Sequence, residues 1–553
     1  MMILQKKLGL LLALSLITFL PIRIVKAQNN IIPKPANIKL GNGSFTINNQ
    51  TIVSYPKKNT ELRTLVDFFN QHIHKISGIT LSSNKKYTQT IEFKLVDIAS
   101  LRKEGYRLTV AKDLILLEAN AKEGLFYGVQ SLIQCLPAIR TNEALNIPFM
   151  EITDYPRFGW RGMMLDVSRH FFSVETIKEI IDLLASYKMN VFHWHLVDNE
   201  GWRLEINKYP KLTSVGAWRQ EVYGSRWYAK DSTLNLNDTY KYGGYYTQQQ
   251  AKDIVEYAKA RNITVIPEIE MPGHSGAALA AYPQFSCTGI PQAVPNSTVV
   301  NGIKGHRGVN FEYCAGNDST FLFLQDILKE VMQIFPSEYI HIGGDEVEKF
   351  RWEECLKCQS RKKAEHLKDA HDLQSYFIKR IETFLLAHDK KLLGWDEILE
   401  GGLASSATVM SWRGEKGGIA AAKEGHDVIM SPSDPLYFNR YQADPKTEPF
   451  AAGFSINSID KVYHYDPHSA KLNTEQHQFI KGSQFALWTE NIATTEYLEY
   501  MMLPRMPALA EGLWTPVAAK NYDDFIKRLN AWHFNAWAAK GFSFYQALYK
   551  QKY

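Results

Sequence analysis

The spacing of apolar and polar positions changes near residue 150. Before it, β-type runs at 51–54, 88–95 and 114–117 alternate with helical stretches near 60–76 and 122–136. This alternation predicts a small α+β domain over residues 28–150. After it, apolar runs and longer amphipathic stretches follow one another, the latter at 174–188, 248–261, 319–334 and 371–388.

Eight short apolar runs in the second region predict the strands of one sheet. They lie at 161–167, 190–197, 263–269, 338–342, 391–395, 407–412, 427–430 and 482–488. Strands separated mostly by helices favour a closed (β/α)8 barrel over an open sheet. We therefore predict an α/β protein with a (β/α)8 TIM barrel over residues 151–515, followed by a helical tail over 516–553 that packs on the barrel.

The first 27 residues differ from both regions. Lys6 and Lys7 precede the apolar run 8–20, and Val25-Lys-Ala27 offers small residues at the positions expected for signal-peptide cleavage. A membrane anchor is the alternative, but the run is short for a membrane span and Pro21 closes it. We predict a cleaved signal peptide over residues 1–27 and a secreted or periplasmic protein.

The charge of the chain argues against two classes of partner. The formal net charge is +5, and removing the signal peptide, which has four lysine and arginine residues and no acidic one, leaves +1. A nearly neutral surface does not favour nucleic acid or an anionic membrane. We expect neither as a partner.

The five cysteines are an odd number. Cys287 and Cys314 flank a loop rich in proline, asparagine and glycine, and a bridge between them would restrain it in an oxidising compartment. Cys355 and Cys358 form a single Cys-x-x-Cys, which is weak support for zinc without a second pair, so a local disulfide or two thiols is the expectation. Cys135 lies in an apolar run and is predicted to be a free core thiol. No metal or cofactor is expected.

Candidate chemistry lies where the predicted strands end. In His341-Ile-Gly-Gly-Asp-Glu346, Asp345 and Glu346 follow an apolar run, and adjacent side chains on an extended segment point to opposite sides. They therefore do not form a facing acid and base on one strand, and we expect them to hold different parts of one substrate. The two glycines would let the backbone approach a ligand closely. Two structural carboxylates on a barrel loop are the alternative.

Motifs at these strand ends resemble glycoside hydrolase family 20, the β-N-acetylhexosaminidases. They occur in family order at 161–170, 193–198, 267–274, 341–346, 394–397, 411–414, 488–490 and 504–511. The N-terminal region also resembles the accessory domain of that family. The resemblance implies a metal-independent exo-glycosidase that removes terminal N-acetylglucosamine or N-acetylgalactosamine from glycans with retention of configuration.

The resemblance also implies the roles of the acidic pair. In this family the nucleophile is the carbonyl oxygen of the substrate's own acetamido group, which forms an oxazolinium intermediate. Glu346 would protonate the leaving oxygen and then activate water, which calls for a carboxyl group with a raised pKa. Asp345 would hold the acetamido N–H, and Tyr437 would bind the acetamido oxygen.

Four further residues have candidate supporting roles. Asp198 and His274 resemble the pair that supports the acid in this family, although the usual second aspartate is Asn199 here. His193 and His195 alternate on a predicted strand, which is compatible with a metal site. No third ligand at metal spacing accompanies them, so structural hydrogen bonding is the expectation for both.

Three tryptophans, Trp395, Trp412 and Trp488, each follow a predicted strand. One such residue is more often a core or rim aromatic than a ligand contact. Three on one rim would form an apolar box for a sugar face and its acetamido methyl group. By resemblance, Arg161 and Glu490 would bind the 3- and 4-hydroxyls of that sugar.

The segment Tyr437-Phe-Asn-Arg440 departs from the family pattern. An acidic residue that faces the 6-hydroxyl is common where this chain has Asn439, and Arg440 follows it. Loss of the acid removes repulsion toward a 6-sulfate, and an arginine can donate charge-assisted hydrogen bonds to one. We predict acceptance of 6-sulfated N-acetylglucosamine. Ordinary neutral specificity, with Arg440 in solvent, is the alternative.

Two other functions are the alternatives to an exo-glycosidase. An endo-acting chitinase-like barrel would place its acid in an Asp-x-x-Asp-x-Asp-x-Glu strand, which the sequence lacks. A non-catalytic glycan-binding protein on the same barrel would be expected to lose the acid or its orienting partners. Asp345, Glu346 and Tyr437 are all present, which favours the enzyme.

Overall fold

The computed structural model describes residues 29–83, 89–142, 144–227, 231, 233–300, 302 and 308–549. The predicted signal peptide lies outside these residues. Within them, no helix combines the length and the apolar character that a membrane crossing requires.

The N-terminal domain is a six-stranded sheet with two helices packed on it. Its strands are β1 (Asn37–Ile47), β2 (Ile52–Ser54), β3 (Thr90–Leu95), β4 (Tyr106–Val110), β5 (Leu114–Ala119) and β6 (Leu145–Asp154), in the order β1-β6-β4-β5-β3-β2. The helices are Thr60–Ser77, which is capped by Asn59 and ends at the left-handed Gly78, and Lys122–Gln134. Apolar side chains on one face of the first helix are buried, whereas the second helix is buried on all sides from Gly124 to Gln134.

Eight parallel strands close into a barrel. They are β7 (Trp160–Asp166), β8 (Val191–His195), β9 (Thr264–Glu268), β10 (Tyr339–His341), β11 (Lys391–Trp395), β12 (Thr408–Ser411), β13 (Val428–Met430) and β14 (Ile480–Leu487), with β14 paired to β7. Most of their residues are buried because the strands face side chains inside the barrel and helices outside it. The predicted (β/α)8 barrel preceded by a small α+β domain is confirmed.

Long helices follow several barrel strands and begin at polar caps. They span Val174–Ser186, Gln248–Lys259, Asp318–Ile334 and Ala370–Leu386, and a shorter one spans Lys416–Lys423. Ser173, Thr247, Asn317 and Asp369 each accept a backbone N–H with the side chain at the helix start. These caps satisfy N–H groups that have no partner within the helix.

Short elements fill the loops at the rims of the barrel. The strands are Val197–Asp198, Gly201–Trp202, Trp218–Val222, Thr239–Gly243, Arg440–Tyr441 and Ala452–Ile456. The helices are Lys211–Ser214, Gly276–Ala281, Ser297–Val300, Phe350–Glu354, Leu356–Ala364, Ser433–Leu436, Ile459–His464, Thr474–His477, Thr495–Met502 and Arg505–Trp514, with 3-10 turns at Pro283–Phe285, Asp396–Leu399 and Val517–Ala519.

The C-terminal tail joins the two domains. It contains helical segments at Tyr522–Arg528, Leu529–His533 and Phe534–Lys540. The Arg528 guanidinium forms two contacts of 2.7 Å with the Glu511 carboxylate and donates to the Ile31 carbonyl. Because all these groups are buried, the tail fixes the N-terminal domain against the barrel.

Candidate active site

The glycines before the acidic pair are required by packing inside the protein. Gly343 and Gly344 have φ values of 69° and 92°. A Cβ on Gly343 would lie 1.6 Å from Oε2 of Glu270, and one on Gly344 would lie 2.7 Å from the Ile398 side chain. The prediction that these glycines admit a ligand is therefore wrong, because protein atoms occupy the space beside them.

Asp345 and Glu346 lie in the loop after β10 rather than on the strand. Glu346 is in the left-handed region with φ 47°, so the chain turns sharply between the two carboxylates. The Asp345 side chain is 10% exposed and the Glu346 side chain 61% exposed. Both still reach one imidazole, with His274 Nε2 3.4 Å from Asp345 Oδ2 and 3.6 Å from Glu346 Oε2.

Asp198, His274 and Glu346 form a connected series, as the sequence predicted. His274 Nδ1 lies 2.9 Å from Asp198 Oδ1, and Asn199 accepts the Gly276 N–H near this contact. Burial alone would lower the pKa of His274, but the charges of Asp198 and Asp345 outweigh it and raise that pKa well above the ordinary value. His274 is therefore a cation near neutral pH.

A buried carboxylate, Glu268, lies behind this series at the end of β9. Three histidines contact it: His193 Nε2 at 3.0 Å, His341 Nδ1 at 2.9 Å and His195 through Nδ1. His195 also contacts Asp198 Oδ2 at 2.9 Å, and although burial lowers its pKa, Glu268 and Asp198 raise it to about 10. The structure thus brings to each histidine the third ligand that the sequence did not reveal, because the ligand atoms of His193, Glu268 and His341 lie within 4.8 Å of one another, as do those of His195, Asp198 and Glu270. The structural hydrogen-bonding role of His193 and His195 stays a prediction.

The two neighbouring carboxylates have opposite pKa shifts. Burial raises the pKa of Asp345 to about 6, against the lowering effect of the His274 charge. The contact with His274 and the positive charge of that residue lower the pKa of Glu346. The prediction of a raised pKa for Glu346 is wrong for this structure, because its side chain is largely in solvent and has a cation beside it.

A cavity of about 440 Å³ opens at this rim. Trp395, Trp412, Tyr437 and Trp488 all line it. Tyr437 stacks on Trp412 with ring centres 6.0 Å apart and planes 12° apart, and Trp395 and Trp488 have centres 5.9 Å apart. The structure thus brings together the three tryptophans and the tyrosine that the sequence singled out.

Asn439 and Arg440 lie at the edge of the same cavity. The Asn439 side chain is buried, and the Arg440 guanidinium lies 5.4 Å from the ring centre of Tyr437 and 5.5 Å from that of Phe454. Arg440 Nη1 donates to Ser455 Oγ at 2.9 Å. The cation is therefore held at the cavity by two aromatic rings and a hydroxyl group.

Comparisons with known proteins agree with this arrangement. The profile described as "Glycosyl hydrolase family 20, catalytic domain" matches residues 158–517, and "Glycosyl hydrolase family 20, domain 2" matches residues 28–155. The chain belongs to glycosyl hydrolase family 20. The family resemblance inferred from the sequence motifs is thereby confirmed.

Individual family 20 relatives match most of the chain. A beta-hexosaminidase of Porphyromonas gingivalis is 44% identical over 91% of this chain, which spans 62% of that relative's length. A beta-hexosaminidase of Vibrio furnissii is 33% identical over 89% of this chain and 78% of its own. The solved structure of the family 20 exo beta-N-acetylglucosaminidase of Vibrio harveyi has a TM-score of 0.82 and 30% identity, covering 94% of this chain and 79% of that one.

One predicted sugar contact is wrong. Arg161 lies near the start of β7, at the opposite end of the barrel from the family 20 motifs that line the cavity. Its guanidinium is buried and donates to the Glu104 carboxylate at 2.9 and 3.1 Å and to the Lys188 and Phe158 carbonyls. Because all these partners are at the interface with the N-terminal domain, Arg161 is a structural residue.

Arg169, three residues after β7, lines the cavity instead. Its guanidinium lies 5.1 Å from the ring centre of Trp488, and Nη2 is 2.9 Å from Asp198 Oδ2. Its Nε also donates to Glu200 at 2.8 Å, while Glu490 lies near enough to raise its pKa further. The sequence could have identified Arg169, because it is in the same motif as Arg161 and follows the carboxyl end of the strand, where barrel enzymes place their sites.

Proposed function

We propose that the chain is an exo-β-N-acetylhexosaminidase that releases terminal N-acetylglucosamine or N-acetylgalactosamine by a retaining, substrate-assisted mechanism. The observation that carries this proposal is that one carboxylate oxygen of Asp345 is buried without a hydrogen-bond donor in the described part of the chain. Its Oδ1 is buried beside Tyr437 and Glu346 and, among the described residues, has no hydrogen-bond donor. A buried carboxylate oxygen needs a donor, and the N–H of an acetamido group would supply one.

In the first step, the acetamido carbonyl oxygen attacks the anomeric carbon while the bond to the leaving oxygen breaks. Glu346 gives its proton to that oxygen, and the product is an oxazolinium ion whose positive charge lies beside the Asp345 carboxylate. Tyr437 accepts a hydrogen bond from Trp488, so its own O–H is available to donate to the acetamido oxygen. A sugar lying over Glu346 removes water from it, which raises its pKa toward that of a general acid.

In the second step, Glu346 takes a proton from water as the water attacks the anomeric carbon. The bond to the acetamido oxygen breaks and the acetamide is restored. Two inversions at one carbon give overall retention. His274 lies close to both carboxylates and links them to Asp198, so it stabilises the charge of Glu346 after proton transfer.

The cavity favours a terminal sugar. Tyr437 and the three tryptophans at the strand ends would cover the sugar face and the acetamido methyl group, and Arg169 and Glu490 would bind the ring hydroxyls. The related Vibrio harveyi enzyme is described as an exo beta-N-acetylglucosaminidase in complex with N-acetylglucosamine, which supports the same ligand here. A glycan-binding protein without activity would not need Asp345 and Glu346 together on one imidazole.

A panel of aryl glycosides tests this function. We expect hydrolysis of aryl N-acetyl-β-glucosaminides and no detectable hydrolysis of the matching β-glucosides, because only the former carry the nucleophile. A thiazoline that mimics the intermediate should inhibit at concentrations at least about 100-fold below KM. Comparable rates for the glucosides would contradict substrate assistance.

We also propose that the enzyme accepts N-acetylglucosamine with a 6-sulfate. Asn439 is neutral, and the Arg440 guanidinium at the same edge of the cavity is held by Tyr437, Phe454 and Ser455. A preorganised guanidinium suits a sulfate because it donates two parallel hydrogen bonds.

The Asn439→Asp variant tests the sulfate proposal. A carboxylate beside the sulfate should lower the ratio of kcat/KM for 6-sulfated over unsulfated aryl N-acetylglucosaminide by about 10- to 100-fold, since a charged hydrogen bond is worth roughly 1.5–3 kcal/mol. Asn49→Asp adds the same charge at an exposed turn of the N-terminal domain and should leave the ratio unchanged. No turnover of the sulfated substrate by the natural chain would contradict the proposal.

We propose, finally, that the protein is exported to the periplasm or the medium. The basic residues, apolar run and small residues at positions 6–27 support this. N-terminal sequencing of the protein from a cell fractionation should find chains that begin at Gln28, and uncleaved chains in the cytoplasm would contradict export.

A further inference from the structure

Four of the five cysteines come together, although they are up to 71 residues apart. Cys287, Cys314, Cys355 and Cys358 have sulfur atoms that all lie within 4.8 Å of one another. The Cys287–Cys358 and Cys314–Cys358 sulfur distances are 3.7 Å, and the Cys314–Cys355 distance is 3.8 Å. None of the four is joined in a disulfide in this structure, and the cluster is half-buried to buried.

These distances fit the geometry of one tetrahedral metal ion. Four thiolates at the usual Zn–S distance of about 2.3 Å form a tetrahedron with sulfurs about 3.8 Å apart. Cysteine sulfur is also a ligand type that selects zinc over calcium or magnesium. The sequence suggested two separate pairs, 287 with 314 and 355 with 358. The structure instead mixes the pairs, because Cys358 lies equally close to Cys287 and to Cys314.

The two backbone segments that carry the cysteines pass close to each other at Gly316. A Cβ on Gly316 would lie 2.2 Å from the carbonyl carbon of Lys357 and 2.3 Å from the Cys358 nitrogen. The Gly316 N–H donates to the sulfur of Cys314, a contact that stabilises a thiolate. The Trp352 indole donates to the Tyr313 carbonyl at 2.9 Å, which fixes the same two segments together.

We propose that these four cysteines form a structural zinc site. The ion would join the loop after β9, which carries His274, to the loop after β10, which carries Asp345 and Glu346. With four protein ligands it has no open position, so its role is to hold the loops and not to take part in hydrolysis. This proposal does not depend on the sugar that the cavity binds.

The composition of the purified full-length chain tests the site. Purified without chelators or reductants, the protein should contain one zinc per chain by plasma mass spectrometry. After denaturation with a chelator, all five cysteines should react as thiols. Replacement of zinc by Co²⁺ should give the intense visible absorption of tetrahedral cobalt thiolates. A chain without zinc that has a single reactive thiol contains two disulfides and would overturn the proposal.

Substitutions separate metal binding from disulfide formation. Cys355→Ser should lose at least about tenfold in Co²⁺ affinity, whereas Cys355→His, which keeps a zinc ligand but cannot form a disulfide, should retain one zinc per chain. Cys135→Ser, outside the cluster, is the matched control and should keep the metal. If Cys355→Ser does not fold, the histidine variant still decides the question. A folded Cys355→Ser chain with full zinc content would overturn the proposal.

Discussion

The Glu346→Gln variant is expected to lose about 10³- to 10⁴-fold in kcat on N-acetylglucosaminides with unactivated leaving groups. Glutamine keeps the shape of the side chain but cannot give a proton to the leaving oxygen or take one from water. Binding of free N-acetylglucosamine should change little, because 61% of the Glu346 side chain is exposed and the aromatic residues that line the cavity are unchanged. The two readouts are steady-state kinetics and calorimetric binding of the sugar.

The leaving group separates the acid role from a structural one. A dinitrophenolate departs without protonation, so the loss in the bond-breaking step should be much smaller for that substrate than for a methyl glycoside. A damaged fold would slow both alike. Glu353→Gln, which changes an exposed carboxylate in the short helix after this loop, is the matched control and should behave as the natural chain. Unchanged kcat on unactivated substrates in Glu346→Gln would refute the assigned role.

The barrel could be predicted because its signal is local. Each of the eight strands is a short apolar run, and the long helices begin at side chains such as Ser173 and Asp369 that cap them. The N-terminal sheet is harder to predict from the sequence. Strand β1 is mostly exposed and contains Gly41 and Gly43 at a register shift, so it lacks the alternation on which strand prediction depends.

Motifs in the sequence located most of the site residues correctly but not all of them. Asp198, His274 and the aromatic residues were found through motifs; His274 and the aromatic residues line one cavity, and Asp198 contacts His274. Arg161 was misplaced because the motif spans a whole strand, and its two arginines lie at opposite ends of the barrel. Counting from the strand start would have favoured Arg169.

Some properties depend on contacts between distant segments. The lowered pKa of Glu346 depends on His274, which approaches from the loop after β9. The cysteine cluster depends on two loops that meet at Gly316. Neither arrangement has a spacing in the sequence that would reveal it.

The Asp345→Asn variant should lose about 10²- to 10³-fold in kcat, the usual effect of removing one group that stabilises charge in the transition state. An amide can occupy the same space, but it brings no negative charge to the oxazolinium ion and can turn its NH₂ toward the acetamido N–H. KM should rise less than kcat falls, because the positive charge develops only as the acetamido oxygen attacks.

The pH dependence of kcat distinguishes this role from loss of structure. Burial raises the pKa of Asp345 to about 6, so the carboxylate predominates above that pH and is protonated below it. Because the bound sugar raises the pKa of Glu346 and keeps it protonated, kcat of the natural chain should fall, by up to tenfold per pH unit, as the pH falls below about 6. Asp345→Asn has no such carboxylate and should lack this acid limb, whereas Asp389→Asn, at an exposed position, should retain it. If the acid limb persists in Asp345→Asn, the ionisation belongs to another group. If kcat of Asp345→Asn stays within a few-fold of the natural value, the Asp345 carboxylate does not stabilise the oxazolinium ion, which contradicts the mechanism.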